Sequence, residues 1–187
     1  MPVDLAALQR RYRPDRLLTP FQQRDAALLV SAAAAAGTRQ VLLDTTVYIH
    51  EVAGKLPPDA ADLLDGALHF HCSLAIAEVV QGLGKYHPNS ANFGSAWTHY
   101  DRLFGSIPQN RLLTPDSGIL AQAGAVAGIL ARTQNHVKDQ GKTLFNDAAI
   151  LLTAARHGLP VLTANRGDCG LIQQVAGQVA FIYYVPK

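Results

Sequence analysis

The stretch that decides the fold is Val41-Leu42-Leu43-Asp44, followed at once by Thr45-Thr46-Val47-Tyr48-Ile49. Its aliphatic residues predict a short buried strand over 41–43, and the residues after Asp44 predict a helix over 45–52. A carboxylate at the end of an apolar run must be paired or bound to a cation, because an isolated charge is unfavourable there. Asp44 is therefore a candidate site residue, although an aspartate before a helix is also a favoured N-cap.

The same alternation of short strands and helices continues along the chain. Further strands are expected at 70–73, 161–163 and 179–185, and helices at 59–68, 74–83, 90–104, 117–132, 147–157 and 168–175. Strands separated by helices indicate βαβ units and a parallel sheet covered on both faces. We therefore expect an α/β fold with three layers (α/β/α) around a central parallel sheet.

Composition limits the class of protein. The 187 residues are 49% hydrophobic and 16% charged, which excludes a disordered chain. Two cysteines, Cys72 and Cys169, are too few for a disulfide framework, so a reducing, cytoplasmic setting is expected. The apolar stretch 26–37 is shorter than the ~18 residues of a membrane span, and no membrane association is expected. The net charge of +2 neither indicates nor excludes a nucleic-acid partner.

The first 40 residues differ from the remainder. Residues 1–40 are comparatively basic and are expected to form a helical N-terminal extension, broken at Pro14 and Pro20. Residues 41–187 then form the main domain. The extension could cover a face of that domain, help a dimer form or contact RNA; a solvated charged helix face is the commoner reason for such arginines. They are Arg10, Arg11, Arg13, Arg16, Arg24 and Arg39.

Four carboxylates fall where elements are expected to begin or end, or on a buried face. After Asp44, Glu78 lies inside an apolar helix, Asp147 opens a helix and Asp168 follows the strand that ends at Thr163. Taken singly, Asp147 could complement a helix N-terminus and Asp168 could cap one. Together, four carboxylates at one end of a parallel sheet indicate a hard divalent cation such as Mg²⁺. Two such ions can assist an in-line phosphoryl displacement.

Four short motifs follow one another along the chain. They are Asp44-Thr45-Thr46-Val47, Ser73 with Glu78, Asn146-Asp147-Ala148-Ala149-Ile150 and Leu162-Thr163-Ala164-Asn165-Arg166-Gly167-Asp168. Taken in this order, the set resembles the PIN-domain ribonucleases and is most similar to the VapC-type toxins of bacterial toxin–antitoxin pairs. The resemblance runs from about Val41 to the C-terminus and implies a PIN-like α/β/α domain with endoribonuclease activity that depends on Mg²⁺ or Mn²⁺.

The resemblance also implies roles for individual residues. Asp44, Glu78 and Asp147 would be catalytic metal ligands, and Asp168 would complete the site directly or through water. Thr45, Thr163 and Asn165 would be neighbours that orient these carboxylates. Candidate phosphate contacts are Arg166, Arg102, Arg132, Lys138 and Lys142.

Partners follow from the same resemblance. The substrate would be RNA, and a small antitoxin would lay a helix or tail over the acidic crevice. A homodimer or a toxin–antitoxin hetero-oligomer is therefore expected.

Two positions depart from the family pattern and keep an alternative open. Asn165 stands where many PIN domains have an Asp, and Cys169 stands where such toxins often have an aromatic residue. Because an amide binds a cation less strongly than a carboxylate does, the chain could instead be a catalytically degenerate PIN-like module that binds RNA or protein. A phosphatase with Asp44 as covalent nucleophile is a third interpretation, but Thr46 occupies the position where haloacid-dehalogenase-like phosphatases have a second Asp.

Overall fold

A computed structural model describes residues 3–135 and 140–187, with residues 140–142 by backbone alone. Its sheet has five strands in the order β3-β2-β1-β4-β5, and each neighbouring pair is parallel. The expectation of an α/β fold with a central parallel sheet is confirmed. The strands are β1 (Gln40–Leu43), β2 (Leu68–Cys72), β3 (Leu112–Leu113), β4 (Val161–Thr163) and β5 (Phe181–Tyr183).

Helices cover both faces of this sheet. Consecutive residues of β1 and β4 point to opposite faces, yet Val41 to Leu43 and Val161 to Thr163 are all buried. Such strands are typical of a three-layer arrangement. The helices are α1 (Leu5–Tyr12), α2 (Thr45–Val52), α3 (Pro58–Gly66), α4 (Ser73–Gly84), α5 (Phe93–Gly105), α6 (Ser117–Thr133), α7 (Gln140–Arg156) and α8 (Arg166–Ala176).

The strand order places a crevice between β1 and β4. From β1 the chain builds outward through β2 and β3, and then returns to the other side of β1 with β4 and β5. In open parallel sheets, ligands bind outside the carboxyl ends of the strands where the order reverses. Asp44 directly follows β1, and Asn165 lies between β4 and α8. The topology therefore brings two of the candidate motifs to one crevice.

Helix α7 begins earlier than the sequence pattern predicts. The expectation that Asp147 opens a helix is wrong, since α7 starts at Gln140 and Asp147 lies about two turns inside it. The preceding turn packs through Leu144, which is fully buried, so tertiary contact extends the helix through Gly141. A helix dipole acts mainly within the first turn, and it therefore does not account for a carboxylate at this position.

The N-terminal extension is less helical than expected. Only Leu5–Tyr12 is α-helical, and two short 3₁₀ turns follow at Ala26–Leu28 and Ala33–Ala35. Near the alanine run, the backbone pairs with β5, the last strand of the sheet. Tyr183 donates its N–H to Val30 (3.0 Å), and Ala32 donates to the Tyr183 carbonyl (2.8 Å). An open sheet edge offers unpaired backbone groups, and here they compete successfully with local helix propensity.

Two smaller differences concern the strands. The two-residue β3 was not expected within 107–115, and β5 is shorter than the predicted 179–185. Among the described helices, none has both the length and the apolar character required to cross a membrane.

The packing of α6 gives a stability prediction. Leu130 is completely buried, while Leu28 on the N-terminal segment is 76% exposed. Leu130→Ala should lower the free energy of unfolding by about 2–5 kcal/mol, because it removes buried methyl groups and leaves a cavity. Leu28→Ala, the matched control, should change it by less than about 0.5 kcal/mol. Urea denaturation measures both; equal effects of the two substitutions would contradict this description of the core.

Candidate functional site

Asp44 is held at the end of β1 by two hydroxyl groups. Its side chain is only 5% exposed. The Oδ2 atom accepts hydrogen bonds from the Oγ1 atoms of Thr46 and Thr163, both at 2.7 Å. It also accepts the Thr46 N–H at a longer 3.4 Å, as the N-cap of α2. Asp44 is therefore both a helix cap and a member of the crevice, and the two hydroxyl bonds are its shorter contacts.

The same two hydroxyl groups join the end of β1 to the chain after β4. Thr46 Oγ1 accepts the backbone N–H of Ala164 at 3.0 Å, and Thr163 Oγ1 accepts that of Asn165 at 2.9 Å. The sequence singled out Thr163 for orienting a carboxylate, and the structure brings it to Asp44. Thr46 was missed. The available signal was its position two residues after Asp44, from which a threonine hydroxyl can donate a hydrogen bond to the carboxylate that caps the helix.

Glu78 is half-buried on α4 and both of its oxygens are engaged. Oε2 accepts from the hydroxyl of Thr45, and Oε1 accepts from Asn146 Nδ2 at 2.7 Å. Thr45 was an expected neighbour of the carboxylates. No role was predicted for Asn146, although it belongs to the motif that contains Asp147; its position next to Asp147 was the signal that it lies at the site.

Asn165 connects the two remaining carboxylates. Its Nδ2 donates to Oδ2 of Asp147 at 2.9 Å and to Oδ2 of Asp168 at 3.0 Å. Its Oδ1 accepts the N–H of Asp168 at 3.3 Å, so Asn165 rather than Asp168 is the N-cap of α8. The amide thus does what a carboxylate at position 165 could not do, because only an amide can donate to both acids.

The cluster carries strong electrostatic repulsion. Burial is the chief cause that raises the pKa of Asp147 to about 8; the nearby charges of Asp44, Asp168 and Glu78 contribute to the same rise, and the hydrogen bond from Asn165 opposes it. Neither of the two ion pairs found among the described residues involves these four acids. The crevice therefore concentrates negative charge without a basic partner from that part of the chain.

The chemistry of the donors suits a hard divalent ion, but the side chains are not arranged around one. Carboxylate oxygens are the preferred ligands of Mg²⁺ and Mn²⁺. Within residues 3–135 and 140–187, however, no three His, Cys, Asp or Glu side chains are arranged so that they could hold a metal ion. The neutral donors Asn146, Asn165 and Thr163 occupy carboxylate oxygens instead. Metal binding would require some of these side chains to turn.

The candidate phosphate contacts fall in different places. Arg166 is exposed at the start of α8, with its Cζ 5.6 Å from the ring centroid of Tyr183. Arg132 donates to two backbone carbonyls of the N-terminal segment, at 2.8 and 2.9 Å, so a structural role accounts for it. Arg102 is exposed in the last turn of α5. Lys138 and the side chain of Lys142 lie outside the described residues.

Comparison with known proteins identifies the fold. No protein-family model and no curated protein matches the sequence. A chain of FitAcB from Neisseria gonorrhoeae matches with 21% identity and a TM-score of 0.55, over 76% of this chain and 96% of that one. VapBC2 from Rickettsia felis, solved bound to a promoter DNA fragment, matches with 11% identity and a TM-score of 0.54, over 78% and 98%. VapBC-5 from Mycobacterium tuberculosis, of the VapBC family of toxin–antitoxin systems, matches with 19% identity and a TM-score of 0.50, over 78% and 98%. The α/β fold is thus shared with these proteins.

The raised pKa of Asp147 gives a prediction on stability. The pKa is about 8 in the folded protein and about 4 in an unfolded chain, so the folded state binds the proton more tightly between these values. Stability of the metal-free protein should therefore fall as the pH rises from about 4 to about 8. Asp147→Asn should flatten this dependence and be more stable than the parent at alkaline pH.

Thermal unfolding in buffers containing EDTA measures this effect. Asp101→Asn, which changes an exposed carboxylate on α5, is the matched control and should retain the parent's pH dependence. Identical pH profiles for the parent and Asp147→Asn would show that Asp147 ionises normally.

Proposed function

We propose that this protein is a metal-dependent endoribonuclease and the toxin of a toxin–antitoxin pair. The observation that carries the proposal is the convergence of Asp44, Glu78, Asp147 and Asp168 at the switch point of the sheet, without a basic partner among the described residues. The fold shared with VapBC and FitAB proteins supports it. A reducing, cytoplasmic compartment agrees with two buried free cysteines.

In this proposal the four carboxylates hold Mg²⁺ or Mn²⁺. A bound ion would lower the pKa of a water molecule and neutralise charge on the scissile phosphate. Thr46 and Thr163 orient Asp44 through Oδ2, and none of the described hydrogen bonds of Asp44 uses Oδ1. Asn165 fixes the separation of Asp147 and Asp168. Asp147 must be ionised to serve as a ligand, so its raised pKa favours the protonated, metal-free form at neutral pH.

A second function is favoured by one observation. The amide of Asn165 bridges two acids that would otherwise need a cation between them, and no formed ion site exists among the described residues. A PIN-like module that binds RNA or protein without cleaving it would have this feature. Calorimetric titration with Mn²⁺ separates the two functions: a nuclease should bind the ion in a manner that Asp44→Ala removes, and a degenerate module should not.

The partner in this proposal is an antitoxin segment with apolar residues and one basic side chain. A groove of about 740 Å³ runs between α2, α4 and α5, with Glu78 among its lining residues. Ile49, Val52 and Tyr86 line it and are 48%, 45% and 46% exposed. Apolar side chains would fill this groove, and a Lys or Arg would reach Glu78. Bound there, the segment would block the crevice and oppose metal binding by its charge.

Cleavage of RNA tests the nuclease directly. Purified protein should cleave total bacterial RNA with Mg²⁺ or Mn²⁺ and should stop when EDTA is added. Asp44→Asn should reduce the rate by at least about 100-fold, because the central carboxylate is lost while its shape is kept. Asp101→Asn should cleave at the parental rate. Cleavage that persists in EDTA or in Asp44→Asn would contradict the proposed site.

Inhibition tests the groove. A small antitoxin encoded beside this chain, which the proposal requires, should abolish cleavage when added in stoichiometric excess. Ile49→Arg should weaken this inhibition at least about tenfold, equivalent to about 1.4 kcal/mol of binding, because it places a charge in the apolar groove. Leu28→Arg, a control at a highly exposed position outside the groove, should be inhibited like the parent. Equal inhibition of both variants would place the partner elsewhere.

A further inference from the structure

The N-terminal segment 14–32, called here the strap, is fastened to the main domain along its length. Arg132 and Gln134 of the α6 end donate to its backbone carbonyls, at 2.8 to 3.3 Å. Gln174 of α8 donates to the carbonyl of Gln22 at 3.0 Å. The strap then reaches β5, where residues 30–32 pair with Tyr183. Its path is therefore fixed by contacts with α6, α8 and β5.

Covering the open sheet edge explains only the last part of the strap. Backbone pairing at residues 30–32 protects the edge of β5. Residues 22–24, by contrast, cross α8 with three polar side chains, Gln22, Gln23 and Arg24, all of them exposed. A segment serving only to bury α8 would present apolar side chains to it. At this crossing the side chains are therefore exposed to solvent rather than packed into the core.

Where the strap crosses α8, Arg24 bonds to a residue on the same face of the helix as Arg166. Arg24 donates through Nη1 to Oε1 of Gln173 at 2.9 Å, and Gln173 is fixed in turn by its bond to the Val179 carbonyl at 2.8 Å. Gln173 follows Arg166 by seven positions, so both lie on one face of α8, about 10 Å apart along its axis. One bond to Gln173 leaves most donors of the exposed Arg24 guanidinium available to a ligand.

The strap also passes directly beside the acidic crevice. The amide of Gln23 lies 3.6 Å from the position that a Cβ on Gly167 would occupy. Gly167 is flanked in sequence by Arg166 and Asp168. Arg166 and Gln23, the strap residue next to Arg24, therefore both lie beside Gly167, the residue that precedes Asp168.

We infer that Arg24 of the strap and Arg166 of α8 together bind the phosphate backbone of single-stranded RNA and guide it to the crevice. This inference rests on the proposed nuclease function and adds to it a substrate-binding surface supplied by the extension. Two exposed guanidinium groups, one carried by Arg166 and one bonded to Gln173 two turns further along α8, suit phosphates that are not adjacent in a flexible strand. Because such contacts release counterions, they have a measurable signature in the salt dependence of binding.

The test is RNA binding without cleavage. The full chain carrying Asp44→Asn is titrated, in EDTA, against a fluorescein-labelled single-stranded RNA of about 12 nucleotides, and anisotropy is followed over a range of NaCl concentrations. Adding Arg24→Gln should reduce the slope of log Kd against log [NaCl] by about 0.7, and adding Arg166→Gln as well should reduce it by about 1.4 in total. Arg24→Lys should keep the parental slope, since the charge remains.

The controls separate charge from structure. Arg10→Gln removes an exposed arginine of α1 that pairs with Asp4, and it should leave the slope unchanged. Thermal unfolding of Arg24→Gln should match that of Arg10→Gln. If wild-type protein cleaves RNA but Arg24→Gln leaves the slope unchanged, the inference is overturned and the nuclease stands. A different outcome is that the wild-type protein does not cleave RNA and the Asp44→Asn protein does not bind it. In that case both the inference and RNA as the substrate are overturned.

Discussion

The hydrogen bond from Thr163 to Asp44 joins the ends of the two central strands, and the rest of the crevice is arranged around it. Thr46 completes the link by bonding Asp44 on one side and the backbone after β4 on the other. Because β1 and β4 are neighbours at the point where the strand order reverses, this link fixes the floor of the crevice. The carboxylates of α4, α7 and α8 are then brought to that floor by helices that have their own packing.

The four carboxylates of the crevice show how a fold accommodates acidic side chains that have no basic partner among the described residues. Four acids share a half-buried crevice, and neutral donors rather than cations satisfy many of their oxygens. Asn165 is central, since one amide group restrains two carboxylates and removes the charge that an aspartate would add. This arrangement lets the chain fold without an ion, while burial and, after it, repulsion from the neighbouring acids raise the pKa of Asp147. In the proposed function, such a site would exchange some intrinsic stability for affinity towards a cation or a basic partner.

The strap links the protection of the sheet to the surface around the crevice. Its pairing with Tyr183 covers the open edge, and that same tyrosine ring lies against Arg166. One segment therefore protects β5 at one point and presents Arg24 over α8 at another. In the inference made above, the same segment thus both protects the edge of β5 and contributes Arg24 to a binding surface.

The sequence by itself determined the elements whose signals are local. The aliphatic run before Asp44, the helix after it and the strand 161–163 follow from residue periodicity. The four carboxylates stood out because they fell where elements were expected to begin or end, or on a buried face. They are Asp44, Glu78, Asp147 and Asp168. Tertiary structure decided the rest. The start of α7, the two-residue β3 and the pairing of the strap depend on contacts between residues far apart in the chain. The roles of Thr46 and Asn146 could not be predicted either, because a hydroxyl or an amide gains its function only from the acid that folding places beside it.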